Sequence, residues 1–444
     1  MNESTRNLFK NGVLKCYGGN ARVSIKRLTL NGYESEWFDI SKFVIKYPKI
    51  KRDFGDESHL GNFKTQRASI TLLNNNGQFS GIENPRSFFN KFVDRARTKL
   101  KMEFVIFDEN DNEVIADTSF FYVYGEIIEK KGQCKLPLRD LLHALKKESC
   151  DGVTFTQGMS ISDMIKALLQ KEVLGGRIFD SFLEGATDEE RYVIPQSDFI
   201  PANIADYQSK LTPDKSIFKI ISRYCLFLNG FLFVNSEGNF ELNINREVNN
   251  DVSWHFNYLT SFDEYGSNVV SLDLDSGVKD IYNTVYIKYG ESDSDIFVKK
   301  INYNPTEWYT SQSNRLYFVY GEKKYSSTFH ELSLNTSSID SDMTEVEELS
   351  TRIFEYYKNP KKTYSIEHTP CVLRPLDRVV LNAQGRLEIG PNQNPLRLGV
   401  SSFGDGSVLA EQAGPINEIG KELKVISSEY DLNSFMFRTK LKEI

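Results

Sequence analysis

Apolar and polar positions alternate with a period near two through most of the first 135 residues. Ala68, Ile70 and Leu72 alternate with Ser69, Thr71 and Leu73, the pattern of a half-buried strand. "RVSIKRLTL" runs into Asn31-Gly32, a hairpin signal, and "KLKMEFVIFDENDNEVIADTSFFYVYGEIIEKKGQCKLPL" supplies at least three strands joined by polar turns. The strand ending at Leu73 meets Asn74-Asn75-Asn76-Gly77, where Asn and Gly tolerate the positive φ of a sharp corner. One helix is expected inside this β region, with Asn84 as its cap, Pro85 at its first position and "RSFFNKF" as an aromatic face.

From residue 138 the period changes. "LRDLLHALKK" reads as a short helix. Ser160 and Asp163 form a capping box ahead of Ile161, Met164, Ile165, Leu168 and Leu169, which share one helical face, and Gly175-Gly176 is expected to end that helix. Thr212-Pro213 opens another, with Phe218, Ile221, Tyr224, Cys225 and Leu228 on its apolar side. "YCLFLNGFLFVNS" is too short to cross a bilayer, which takes roughly 20 apolar residues, and reads as a buried helix end running into a buried strand.

Strands return at 230. "FLFVNSEGNFELNINRE" is a hairpin turning at Ser236-Glu237-Gly238, and "NTVYIKYGES" is a further strand. Tyr-Gly-Glu recurs at 124, 289 and 320, which fits two related β domains. A late helix starts at Thr344 with Glu347 completing a capping box and ends before Pro360; the tail returns to strands in "FMFRTKLKEI". This order predicts an α+β protein. The expected units are a first β domain at 1–137, an inserted, mainly helical domain at 138–229, and a second β domain at 230–444 with an insertion around 291–343 and a helix at 344–358.

Composition narrows the class. Thirty-one Phe and 22 Tyr in 444 residues favour strands, on whose pleated faces aromatic rings pack well. Cys16, Cys134, Cys150, Cys225 and Cys371 are odd in number and scattered, which suits buried thiols in a reducing cytosol better than a disulfide framework or a zinc site. Residues 1–150 carry 25 Lys and Arg against 19 Asp and Glu, a balance of +6, so the rest of this −7 chain carries −13. One end of the molecule can thus meet an acidic partner while the other repels anions.

Chemistry is sparse. His59, His143, His255, His330 and His368 are far apart in the chain, without an HExxH or HxH spacing, and there is no GxSxG elbow or Walker loop. Glu345, Glu347 and Glu348 read as a solvated helix face, and Asp273, Asp275 and Asp280 surround a turn at Gly277. "DENDNE" has Glu113 where a calcium loop needs glycine and Ser119 where it needs a bidentate Glu, so it reads as a hairpin turn. Asn74 to Gly77 holds no nucleophile, metal set or phosphate cradle and reads as structural. No catalytic, cofactor-binding or metal-ligating residue is assigned, and no cofactor is expected.

The corner Leu73-Asn74-Asn75-Asn76-Gly77-Gln78-Phe79 nevertheless resembles a recurrent segment of the central hub proteins of bacteriophage tails, the baseplate or tail-tip hubs. "RARTKLKMEFVIFD", "FFYVYGEIIE", "CKLPLRDLLHAL", "MSISDMIKALL", "IFKIISRYCLFLNGFLFVNSEGNFEL", "IYNTVYIKYG", "RIFEYYKNP" and "RPLDRVVL" resemble further segments in the order of that family. One departure is Leu376 before Asp377, where the family pattern has glycine. The resemblance implies two tube-like antiparallel β-barrel domains with a helical insertion, and three chains forming a ring of six barrels. Its implied role is a structural virion protein, made in the host bacterial cytoplasm, that joins the tail tube to the distal tip. Its implied partners are two sister subunits, the tail tube protein, distal tail or baseplate proteins, the tape-measure protein, and a tip spike or needle on a separate chain, with DNA only in transit. No membrane-spanning segment is expected. The alternative is a carbohydrate-binding tail-tip adhesin, with Trp37, Trp254 and Trp308 stacking on sugars, or a cell-wall hydrolase.

Overall fold

The computed structural model describes residues 21–29, 32–53, 63–80, 84, 87–89, 93–107, 112–173, 176–197, 200–201, 204–209, 211–244, 248, 250–258, 268–275, 284–288, 296–300, 323–325, 351, 355, 361–369, 371–385, 416–434 and 436–444. The architecture is α+β, with two curled, barrel-like sheets and a helical unit between them in sequence.

The first sheet contains β1 (Ala21–Thr29), β2 (Gly32–Tyr33), β3 (Phe38–Asp39), β4 (Val44–Lys46), β6 (Arg67–Leu73), β7 (Val93–Phe107), β8 (Glu113–Val123), β9 (Ile128–Lys130) and β10 (Gln133–Arg139). Its order is β2-β1-β7-β8-β10-β6-β4, with β3 also on β1 and β9 on β10. Segment 38–46 joins the two edges. At one end Phe38 and Asp39 pair with Ile25 and Ser24; at the other Val44 and Lys46 pair with Leu72 and Thr71. Ile40 donates to the Val23 carbonyl at 2.8 Å, so the edges are bridged by backbone hydrogen bonds. Alternation places Val23, Ile25, Ile70, Leu72, Leu100, Met102, Leu136 and Leu138 inside.

The asparagine corner plugs this sheet. Gly77 takes φ +68° and its N–H donates to the Asn74 carbonyl at 3.1 Å. The Asn74 side chain accepts from Phe79 N–H at 2.7 Å and donates to Ser80 Oγ at 3.0 Å. Phe79 is thereby held fully buried, stacked 5.3 Å from Phe88 and edge-on to Phe43 at 5.4 Å. The described residues of the helix expected after Asn84 form turns instead. Asn84 Nδ2 donates to the Gly77 carbonyl at 2.7 Å, Ser87 N–H to the Asn84 carbonyl, and Phe88 N–H to the Gln78 carbonyl, so the groups a helix would use are spent on the corner.

The helical unit comprises α1 (Leu142–Leu145), α2 (Ile161–Leu169), β11 (Glu172–Val173), β12 (Gly176–Arg177), α3 (Asp188–Arg191), β13 (Tyr192–Val193), α4 (Ile204–Ser209), α5 (Ile217–Phe227), β14 (Phe231–Val234) and β15 (Phe240–Asn243). The Ser160/Asp163 capping box is present, and Ile161, Met164, Ile165, Leu168 and Leu169 are buried as the spacing predicts. α2 ends at Leu169, before the expected Gly175-Gly176; Gly176 instead opens β12 of a short hairpin. β14 and β15 begin at the expected return to strands, yet β15 pairs with β13 as well as β14, and Phe231, Leu232, Phe240 and Leu242 join the helical core. The helical unit's packing thus runs past the expected 229/230 boundary.

The second sheet contains β16 (Val252–Tyr258), β17 (Val269–Asp275), β21 (Thr363–His368), β22 (Arg378–Gly385), β23 (Ile416–Asp431) and β24 (Met436–Glu443), in the order β16-β22-β23-β24-β21-β17. The β16–β22 pairing is parallel and the others are antiparallel. A separate small sheet holds β18 (Thr284–Lys288), β19 (Ile296–Lys300) and β20 (Lys323–Tyr325). Most of the expected 291–343 insertion, the 344–358 helix apart from two helical positions (351 and 355), and the Tyr-Gly-Glu copies at 289 and 320 lie outside the described residues. At Leu376 the left-handed geometry that favours glycine is kept, with φ +70°, and the leucine is buried in the helical core cluster. Burying a leucine is worth about 2 kcal/mol, which offsets a left-handed cost of about 1–2 kcal/mol.

Candidate functional site

The sequence-level chemistry stays dispersed. His143 begins the helical unit in α1, His255 lies on β16 and His368 ends β21, while His59 and His330 lie outside the described residues. Asp273 and Asp275 are exposed on β17; Asp280, Glu345, Glu347 and Glu348 are outside the described residues. The 108–113 turn joins paired strands, Phe107 facing Glu113, with most of the turn itself outside the described residues. Cys134, Cys150, Cys225 and Cys371 are buried and form no disulfide among the described residues; Cys16 is outside the described residues. Among the described residues, no group of three or more His, Cys, Asp or Glu is placed to hold a metal ion. No helix among them is long and apolar enough to cross a membrane. A cavity of about 20 Å³ between the first sheet and the helical unit is lined by Lys99, Phe120, Tyr122 and Phe182, room for about one water. Trp254 is buried, and the half-buried Trp37 ring has Lys26 at 5.5 Å and Lys101 at 5.3 Å. Trp308 is outside the described residues.

The most developed polar constellation lies where the two sheets meet. β5 (Lys49–Asp53) follows β4, an edge strand of the first sheet, but pairs with β23 of the second, Lys49 to Asp53 against Asp431 to Ser427. It covers the half of β23 that outlasts β22, whose pairing ends at Lys424. The crossover is gripped by Asn433, whose side chain accepts from Tyr47 N–H and donates to the Tyr47 carbonyl, both at 2.9 Å. Although burial opposes it, hydrogen bonds from Asn433 and Lys49 hold the Asp431 carboxyl down at about 2.

Arg52 on this exchanged strand turns back to the first sheet. It donates to Asp117 on β8, to the Thr118 carbonyl at 3.2 Å and to Ser119 Oγ at 3.0 Å, and its guanidinium lies 5.7 Å from the Tyr430 ring. Asp117 also accepts from Arg374 at 3.3 Å. Burial opposes the Arg52 charge, yet Asp117, then Tyr430 and Asp377, hold its pKa above the ordinary value. Tyr430 in turn receives the Leu373 N–H at 3.0 Å and donates to the Leu373 carbonyl. The apolar side chains around this junction form one cluster drawn from both sheets, with Phe104 of β7 5.6 Å from Phe437 of β24. Chemically the arrangement fixes one sheet on the other.

Two buried ionisable groups sit away from the junction. His368 is bracketed by the Thr369 carbonyl at 2.7 Å and Thr439 Oγ1 at 2.8 Å, and burial pushes it down to about 4 despite the carbonyl. Asp140, between β10 and α1, is pushed up to about 7 by burial, although the Gln66 and His143 N–H groups, Lys146 and Arg139 oppose this. Sequence reasoning singled out neither Arg52 nor Asp117. "KIKRD" carries one apolar residue, and its partners are remote in the chain.

No family model matches the chain, and no curated relative matches it. Among solved structures, the chain is similar to a tail protein from Neisseria meningitidis MC58, at 11% identity and a TM-score of 0.48, covering 96% of this chain and 97% of that one. It is similar to a 43 kDa tail protein of prophage MuSo2 from Shewanella oneidensis, at 8% identity and a TM-score of 0.45, over 96% and 98%. It is also similar to a prophage tail protein from Listeria monocytogenes, at 8% identity and a TM-score of 0.43, over 95% and 94%.

Proposed function

We propose that this chain is a structural component of a phage tail: a homotrimeric hub that joins the tail tube to the distal tip and frames a channel for DNA. The observation that carries this reading is the junction, in which the second barrel-like sheet takes β5 from the first domain's stretch of sequence and the two sheets share one core. A ring built from repeated modules needs a fixed angle between them, and a cyclic assembly closes heterologous contacts without forming fibres. The buried Arg52–Asp117 bridge and the β5 exchange supply that rigidity. The ordered series of sequence segments supports the hub position in particular. The acidic balance after residue 150 suits a channel wall that DNA passes without sticking.

The three units proposed for this role are the first β domain, the helical domain and the second β domain. The partners are two sister subunits, the tube protein, the tape-measure protein, distal tail or baseplate proteins and a separately encoded spike or needle. The proposed place is the virion tail. Light scattering of the purified full chain tests the assembly, with the mass of three chains expected at micromolar concentration. A mass of one chain that persists as concentration is raised overturns the reading.

A further inference from the structure

The outer surface of β4, β6, β9 and β10 is basic in a way that the strand register makes explicit. Paired residues in a ladder point to the same side. Arg67 lies directly opposite Arg139, Thr71 opposite Lys135, and Leu73 opposite Gln133. Lys46 also faces Thr71, and Ile128 faces Lys135. The intervening Ile70, Leu72, Cys134, Leu136 and Leu138 are buried, so the cationic set is the one turned outward. Like charges directly opposite one another destabilise a sheet, and an anionic partner removes that cost. Among the described residues, no carboxylate pairs with Lys46, Arg67, Lys135 or Arg139. Asp140, next to Arg139, is buried, with its oxygens accepting from Gln66 and His143 N–H. The same face leaves Leu73 38% and Ile128 55% exposed.

The opposite character occurs on β17, at the end of the second sheet's strand order. Asp273 and Asp275 are exposed there and share one face of the strand, opposite Ser365 and Thr363 of β21. The chain's charge divides in the same sense, +6 before residue 151 and −13 after it. We infer that the basic face of β4, β6, β9 and β10 docks on β17 of a second copy of this chain, Asp273 and Asp275 meeting Arg67 and Lys135 in a contact that covers Leu73 and Ile128. This rests on the ring reading and names its contact. The contact is heterologous, joining the first sheet of one subunit to the second sheet of the next, so it can propagate around a closed circle.

Sedimentation equilibrium on the full chain tests it, with Arg67→Glu/Lys135→Glu and Asp273→Lys/Asp275→Lys variants whose folding is checked by circular dichroism. All four substitutions are at exposed positions. Each double variant is expected to self-associate roughly ten- to a hundredfold more weakly than the parent, because like-charge contacts across an interface cost several kcal/mol. The variant carrying all four substitutions restores opposite charges at every contact of a three-membered ring and is expected to re-form the assembly, which neither double variant forms. A parent that associates, with both variants associating equally well, overturns this contact and leaves the ring standing. A parent that stays single overturns the ring as well. A third arm measures filter binding of duplex DNA; binding lost in Arg67→Glu/Lys135→Glu while its self-association is unchanged assigns the face to nucleic acid and overturns the proposal.

Discussion

Segment 38–46 finishes the first sheet with its own chain, bonding by backbone to β1 at one end and β6 at the other. The second sheet is finished by less. Its edges β16 and β17 meet through one residue: Asn268 donates its N–H to the Asn257 carbonyl at 3.1 Å, and its side chain accepts from Asn257 N–H and donates to the His255 carbonyl. Half of β23 is covered by β5, a strand from the first domain's stretch of sequence. The difference shows which sheet depends on which. The first combines hairpins such as β7–β8 with the longer-range antiparallel β1–β7 and β6–β10 pairs, whereas the second needs the parallel β16–β22 pair and a strand from elsewhere. Non-local pairings of this kind form late, after loop closure has been offset.

The sharpest way to break this asymmetry is Asp117→Ala. It leaves Arg52 buried without its carboxylate, a change that costs about 3–5 kcal/mol. Chemical denaturation checks the size, and hydrogen exchange checks the place: β5 and the 427–431 half of β23 should lose protection before β7 and β8 do. Uniform loss across both sheets would mean that the dependence runs both ways. The double variant Arg52→Met/Asp117→Leu should recover most of the loss, since well-packed apolar replacements of a buried pair are often neutral or better.

Acidity separates the two regions less strongly and with opposite signs. His368 titrates at about 4 when folded, against about 6.5 unfolded, so the unfolded chain binds the extra proton between these values. Its contribution is therefore full above the unfolded value and falls away as pH drops towards 4, by about 3 kcal/mol in all. Asp140 behaves in reverse: with a folded value of about 7 against about 3.9 unfolded, it favours the folded state at low pH and loses that contribution as pH rises. Between about pH 4 and about pH 7 the two trends overlap and oppose one another, so urea midpoints should fall with rising pH in His368→Gln and rise with it in Asp140→Asn.

Local signals were legible because their chemistry is local. Ser160 and Asp163 cap α2 across three residues, and Gly238 takes φ +83° in the hairpin turn expected at Ser236-Glu237-Gly238. The corner at Asn74 was readable as a turn, but its purpose was not, because the Phe79–Phe88 stack and the loss of the helix after Asn84 depend on side chains meeting in space. Leu376 shows the same limit. The family resemblance implied glycine at this position, and only tertiary packing explains why a leucine tolerates φ +70° there. The junction was illegible for a stronger reason: Arg52 and Asp117 are 65 residues apart, and the strand carrying Arg52 has no apolar alternation.

The central claim is that two rigidly joined sheets per chain build a closed circle around an opening. Negative-stain imaging of the purified full chain addresses it most directly. The account predicts particles with threefold symmetry and a central hole; solitary globular particles, or open filaments without closure, would contradict it.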